Sequence, residues 1–472
     1  MIGTLNRRQM SKALLGALST GLPGIRAAET SKAPNVLLIL ASSLRADTLG
    51  CMGHGLVQTA NLNLLAAQGA RFTNLFTAAP DESAARASIL TGRYPKTHGV
   101  KRSGDSLGAD EVLLPQLFRA AGYRTGFCGS FGLDSAENQK AFDFYQGAMP
   151  GAQYDEYLAA ALPGFSGSPD DMSVQIDRRS AWAYGRAKVP ADHMPDKWIS
   201  DRGADFLKDS TDGRPSFLLA SFVKPSPPWV LPRPYVSSYK TQMVSIPTLP
   251  TERPTPATEL DAETDYITAK NSQQLRQFRA AYFAAVTYVD YQIGRLLVGL
   301  RQAGTRDDTL VVVLSDQGFS LGEGGRMSSG TPTESALHVP MLVRFPNRIE
   351  TNVVVNRFAD TTAIAPTLLE MAGLKIPKGM ASQSLASELR EPSAQPDGAA
   401  FSELGFQTIR TPGWRLTDPK DHKTWVPQLF DLSNDPTESQ NIFGNTEHAK
   451  VQSDLDARLK KWASKKPAKV RV

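Results

Sequence analysis

Asn35-Val36-Leu37-Leu38-Ile39-Leu40-Ala41, followed at once by Ser42-Ser43, decides the fold. Seven residues without a charge, rich in branched side chains, are what a strand buried on both faces of a parallel sheet requires. The polar pair after it marks the strand's carboxyl end, where open α/β sheets gather ligand groups. Outward from this strand the chain alternates. The pattern predicts a helix over 61–68 ending at Gly69, a helix over 84–90 closing at Thr91-Gly92, a helix over 112–121 and a strand over 124–128. A strand over 216–222 and a helix over 272–302 follow, the latter with Phe278, Tyr282, Ala285, Val289, Ile293 and Leu296 at spacings of three and four. Strands at 310–314 and 340–345 and a helix over 362–372 complete the body.

Strands alternating with helices give the expected fold class: a doubly wound, mixed but mostly parallel sheet between helices. Residues 135–212, rich in Gly, Pro and Asp, read as an irregular surface insertion. From about residue 376 short strands at 408–410, 414–417 and 428–431 lead into a helix over 448–462, so 376–472 is expected to be a small antiparallel α+β subdomain.

At 472 residues the chain suits one large domain with such a subdomain. Its 41% hydrophobic and 21% charged content is ordinary for a globular protein, and no apolar run approaches a membrane span. Residues 1–28 stand apart: Arg7-Arg8, then Ala13 to Leu18, then small residues to Ala27-Ala28. That is the layout of a twin-arginine export signal, with a frayed amphipathic helix as the bland alternative. It places the mature chain, from residue 29, in the periplasm or the medium. Four of the 52 basic side chains lie in 1–28 against none of the 47 acids, so without that stretch the formal charge falls from +5 to +1. The basic character is then the signal's, apart from a tail from Lys460 to Arg471, and it gives no argument for nucleic acid. Cys51 and Cys128 are too few for a disulfide framework and read as small buried residues.

Several segments in this order resemble the sulfatase family of the alkaline-phosphatase-like superfamily: Pro34 to Leu40, Leu49-Gly50-Cys51-Met52-Gly53, Arg86 to Pro95, Leu314 to Gly318 with Leu321-Gly322-Glu323, Glu334 to Pro340, and Leu429 to Glu438. The arylsulfatase and iduronate-2-sulfatase-like members are the most similar. The resemblance implies sulfuric-ester hydrolysis by a formylglycine made from Cys or Ser, on a calcium ion held by an Asp pair after the first strand and an Asp-Asn or Asp-His pair after a late one. Lys and His would neutralise the developing charge.

This chain departs from that pattern where the chemistry lies. Aligned on Arg86, the nucleophile's position holds Glu82, which no oxidation turns into formylglycine. A slip making Ser83 the nucleophile breaks the four-residue spacing to Arg86. Ser42-Ser43 replace the Asp pair, leaving Asp316 and Gln317 as the metal remnant. Ser130 and Gly132 stand for a Lys and a His, Ser226 for a His after Lys224, and Ser329 near an absent Lys. Arg86, Lys224 and His98 are the remaining candidates for holding an anion, with a turn histidine as the plainer reading of His98. Asp47 and Glu323 are candidates to line the cleft or simply to sit at the surface. His54, His193, His338, His422 and His448 show no metal-ligand spacing. The expectation is a catalytically impaired sulfatase-family protein, with no cofactor beyond residual calcium. Its cleft holds a sulfated glycan or other anionic small molecule, or nothing. The alternatives are a hydrolase using a rearranged metal site at Glu82, and a purely structural role.

Overall fold

The computed structural model describes residues 33–465 apart from 109, 134, 149–151, 165–183, 210–211, 252–264 and 421–425. The expected export signal, His422 and the far end of the basic tail lie outside the described residues.

The founding strand, β1 (Asn35–Ala41), has the predicted limits and lies inside a nine-stranded sheet. Its partners are β2 (Ala70–Phe76), β3 (Arg124–Gly129), β4 (Phe144–Gly147), β5 (Ser216–Phe222), β6 (Thr309–Leu314), β7 (His338–Arg344), β8 (Val353–Val355) and β9 (Ala359–Asp360). The order is β8-β2-β7-β6-β1-β5-β3-β4, with β9 also on β2. β1 pairs in parallel with both β5 and β6, Val36 beside Phe217 and Leu310. Only β7 runs against its neighbours, β2 and β6. The sheet is therefore mixed and mostly parallel.

Alternation along β1 builds two cores. Leu37 and Ile39 face a layer containing α1 (Ala60–Ala67), α4 (Pro195–Lys208) and the 31-residue α5 (Ser272–Gln302). Val36, Leu38 and Leu40 face the opposite layer, with α2 (Glu82–Thr91), α3 (Leu114–Ala120) and α6 (Ile364–Met371). Each such side chain taken from water contributes about 1.5–3 kcal/mol. Helices on both faces make the sheet doubly wound, as expected.

The described parts of 135–212 contribute to the sheet and the core rather than forming an irregular surface insertion. β4 extends the sheet beside β3, and α4 lies in the core, burying Trp198, Ile199, Phe206 and Leu207 against β3, β5 and α5. The polar flanks of α4 hide a 3–4 spaced apolar face that starts behind Pro195, a residue suited to a helix's first turn. Of the cysteines, Cys128 is buried, Cys51 half-buried, and both are free.

Asp290 of α5 fixes the start of α1. Its carboxylate accepts from the backbone N–H groups of Asn61 (3.2 Å) and Leu62 (2.8 Å) and from Asn61 Nδ2 (2.9 Å). Asp290→Ala orphans these donors and is expected to lower stability by about 1–3 kcal/mol in urea unfolding; an unchanged midpoint would show that water replaces the carboxylate.

The C-terminal part is an antiparallel sheet of β10 (Ala400–Glu403), β11 (Gln407–Thr411), β12 (Trp414–Asp418) and β13 (Gln428–Asp431) under α7 (Ala449–Ala463). Leu455, Leu459 and Trp462 of α7 pack on Ile409, Leu416 and Leu429. This is the small α+β subdomain read from the sequence. It is tied to the body by Glu403 N–H on Ala78 O (2.9 Å) and by Asp360, which accepts from Tyr94 and from Phe401 N.

Candidate functional site

The carboxyl ends of β1, β3, β5 and β6 share one edge of the sheet, because these strands are parallel. Ser42-Ser43, Ser130 to Gly132, Lys224 to Ser226 and Asp316-Gln317 follow those strands. Glu82 and Arg86 reach the same edge from α2. This helix starts at Asp81, whose Oδ1 accepts from Ala84 N (3.1 Å), and ends at Gly92 in the left-handed region.

Arg86 is the centre. Its side chain is 1% exposed, and its guanidinium lies between two carboxylates. Nη1 is 2.6 Å from Glu82 Oε1, one helical turn back, and Nε donates to Asp316 Oδ2 at 3.1 Å. Nη1 also donates to the Ser130 carbonyl at 2.8 Å and lies 3.0 Å from its hydroxyl. Ser130 Oγ in turn donates to Glu82 Oε1 at 3.0 Å. Gly132 leaves room for this arrangement, since a Cβ there would stand 3.2 Å from Arg86 Nη1.

Asp316 is fully buried and engaged on both oxygens. Oδ1 accepts from the backbone N–H of Ser43 (3.0 Å) and of Gln317 (2.8 Å); Oδ2 accepts from Arg86. Burial pushes this carboxyl up, and Arg86 opposes that shift. Ser43 has φ +61°, a region serine rarely adopts. Asp316 holds its N–H, and Tyr282 of α5 donates to its carbonyl at 2.8 Å. The sequence reading missed Tyr282, which looked like one apolar position among six. Its signal was that a buried tyrosine hydroxyl needs a partner.

A calcium ion takes about six to eight oxygens. Here both Asp316 oxygens and Glu82 Oε1 are already accepting. What remains is Glu82 Oε2, on a side chain 32% exposed, with Ser42 Oγ and Gln317 Oε1, both buried without a well-formed hydrogen bond. One carboxylate oxygen and two neutral ones beside a guanidinium fall well short of the oxygens a calcium ion takes. Among the described residues no group of three or more His, Cys, Asp or Glu is placed to hold a metal ion.

The other sequence candidates do not converge on Arg86. Lys224 turns into its own loop, donating to the carbonyls of Pro228 (2.6 Å) and Ser226 (3.2 Å), and burial, opposed by Asp196, brings its ammonium down to about 8. Ser226 meets it through that backbone carbonyl. His98 is wholly buried beside α2. Its Nδ1 accepts from Val100 N (3.2 Å), which leaves the proton on Nε2 facing Ser88 Oγ at 3.0 Å. Burial, with Arg93 adding to it, pushes the imidazole down to about 3, so it stays neutral. His98 is thus a structural histidine. Ser329 joins the turn to Thr331 through its carbonyl. Asp47 and Glu323 line a separate cavity of about 360 Å³, where Arg45 bridges them at 2.6 and 2.9 Å and Arg279 reaches Glu323 at 3.1 Å. Burial raises the Asp47 carboxyl, but Arg45 holds it lower, at about 2.

A family model described as Sulfatase matches residues 34–374. An arylsulfatase of Clostridium perfringens is 28% identical over 88% of this chain and 91% of its own. An N-acetylglucosamine-6-O-sulfatase of Bacteroides thetaiotaomicron is 24% identical over 93% of this chain and 88% of its own. Among solved structures, the phosphonate monoester hydrolase of Agrobacterium radiobacter superposes with a TM-score of 0.79 at 24% identity, covering 93% of this chain and all of that one. At that identity the superposition shows the alkaline-phosphatase-like fold.

Proposed function

The chain belongs to the sulfatase family, and from that premise we propose that it is a catalytically silent member whose reaction centre is closed from within. The observation that carries this is the Arg86 guanidinium seated between Glu82 and Asp316. Those are the positions at which the family resemblance puts the nucleophile and a metal ligand. Each loss alone is severe, because removing one preorganised charge-stabilising donor costs about 10²–10³ in rate. Here the nucleophile, the Asp pair and the Lys and His donors are absent together.

The geometry also weighs against the anion-binding role expected for Arg86, Lys224 and His98. A sulfate would meet an arginine already neutralised by two carboxylates, a lysine donating to carbonyls and a neutral imidazole. The sulfated substrates of the relatives are therefore not carried over to this chain. The hydrolase reading has only Glu82 Oε2 to offer a metal unless Arg86 and Ser130 release Oε1.

The test is metal content and sulfate release on the purified mature protein. We expect no stoichiometric calcium, and no release from aryl sulfates or sulfated oligosaccharides above a buffer blank, with or without added calcium. Calcium near one per chain, or calcium-dependent release abolished by Glu82→Gln, would establish the hydrolase instead. Export through residues 1–28, with a body over 29–375 and a subdomain over 376–472, belongs to the same proposal. Among the described residues no helix is long and apolar enough to cross a membrane. N-terminal sequencing of protein recovered outside the cytoplasm tests the cleavage.

A further inference from the structure

The C-terminal subdomain carries an open groove of about 470 Å³ that shares no residue with the Arg86 centre. Its size lies within the range of about 300–1,000 Å³ typical of small-molecule sites. One wall is Phe443. The residue before it, Ile442, donates its N–H to the Leu429 carbonyl at 3.0 Å and packs on the subdomain core. Phe443 starts the turn that follows, and its ring is left 40% exposed.

The other wall is one side of α7. Gln452, Ser453, Asp456 and Lys460 recur at spacings of three and four, so they share a helix face beside the one that buries Leu455, Leu459 and Trp462. Gln452 Oε1 accepts from Gly444 N at 2.8 Å and ties the turn to the helix, leaving Nε2 without an acceptor among the described residues. Asn445 is in the same state: Oδ1 accepts from Glu447 N at 2.9 Å, and Nδ2 has no acceptor among the described residues. Asp456 Oδ2 is held by Lys460 at 2.6 Å, while Oδ1 accepts nothing among the described residues. An exposed ring thus shares the groove with amide donors, a carboxylate acceptor and the Ser453 hydroxyl.

The charge of the lining narrows the ligand. Asp456 and Lys460 are its only charged side chains, and they pair with each other. A sulfated or amino sugar would give up water around its charge for no net opposite charge in return. A hydrocarbon chain would cover the ring but leave the amides unmet. A pyranose with equatorial hydroxyls meets both demands. Its axial C–H bonds make an apolar face that can lie on an aromatic ring, and its hydroxyls radiate around the rim as donors and acceptors. We infer that this groove binds a neutral oligosaccharide of such pyranoses, with Phe443 as the stacking platform. The site goes beyond the closed centre and does not depend on it, so metal content and sulfate release leave it standing whichever way they fall.

Saturation-transfer NMR and calorimetric titration of the full mature protein with cellotetraose decide the matter. The comparison ligands are sorbitol, which has hydroxyls but no ring, a sulfated tetrasaccharide, and a capped tetrapeptide of serine and glycine. We expect cellotetraose to bind with a dissociation constant of about 1 mM or tighter, unchanged as salt rises. Transfer should be strongest to the axial ring protons of one sugar face. The three comparison ligands should each bind at least about fivefold more weakly. Phe443→Ala should weaken cellotetraose by at least about fivefold, the loss of one stacked ring, whereas Phe443→Trp retains it. Phe443 is exposed enough that Phe443→Ala should leave the urea midpoint unchanged, which separates lost stacking from lost folding. No saturable binding of cellotetraose, equal binding of any comparison ligand, or undiminished affinity in Phe443→Ala would each overturn the proposal.

Discussion

Replacing Arg86 with alanine is expected to destabilise the fold by about 3–5 kcal/mol, the cost of leaving a buried charge without its partner. Asp316 carries most of that cost, being fully buried, whereas the Glu82 side chain is 32% exposed and water relieves part of its charge. Asp316 keeps its two backbone donors from Ser43 and Gln317, so the loop after β1 stays tethered and the loss is electrostatic. Two controls follow. Removing all three charges together, with Glu82→Gln, Arg86→Met and Asp316→Asn, should cost less than Arg86→Ala alone, because no unpaired charge remains. Calcium should raise the melting temperature of Arg86→Ala and leave the parent protein unchanged, because the substitution frees two carboxylates beside Ser42 and Gln317. Urea unfolding that finds Arg86→Ala within about 1 kcal/mol of the parent would remove the ion triad as a structural element.

The sequence carried the frame well and the site in only one respect. β1 and α5 have the predicted limits because each has a strong, uniform pattern: a continuous apolar run in one, a 3–4 spacing over 31 residues in the other. β2 went unread because Arg71, Thr73 and Asn74 break up its apolar residues, and the partner that makes it a strand, β7, lies more than 260 residues away. β4 and α4 were obscured by polar and glycine-rich surroundings. At the site, aligning on Arg86 revealed which groups are absent, since absence is visible one residue at a time. How the remaining groups regroup was not legible. The pairing of Arg86 with Asp316 spans 230 positions, and the inward turn of Lys224 depends on where the carbonyls of its loop point. Local pattern encodes neither contact.

Gly129→Ala is expected to be the most damaging single methyl along the strand-end edge that holds Arg86. A Cβ at Gly129 would lie 1.9 Å from the Ser221 carbonyl oxygen and 2.7 Å from its carbon, both backbone atoms of β5 that cannot turn aside. The residue also has φ +129°, a conformation that side-chain-bearing residues avoid. Relief requires β3 and β5 to part at Gly129 and Ser221, which are paired in the parallel register. The cost should exceed about 4 kcal/mol, the range reserved for disrupted cores and backbone strain. Gly122→Ala separates the two causes. Gly122 has φ +86° with nothing within 4 Å of its would-be Cβ, so it should lose only about 1–2 kcal/mol in the same unfolding assay. Comparable losses at the two sites would mean that the contact with β5 relaxes. The larger loss at Gly129 would explain the pattern of change along this edge. Gly129 still carries the residue that the family resemblance expects, because backbone geometry excludes the alternatives. Ser130 and Gly132, one and three residues on, do not: the Lys and His that the resemblance implies there would serve charge and proton transfer. Under the proposed silent site, a side chain needed only for chemistry is free to change, whereas one needed for the approach of two strands is not.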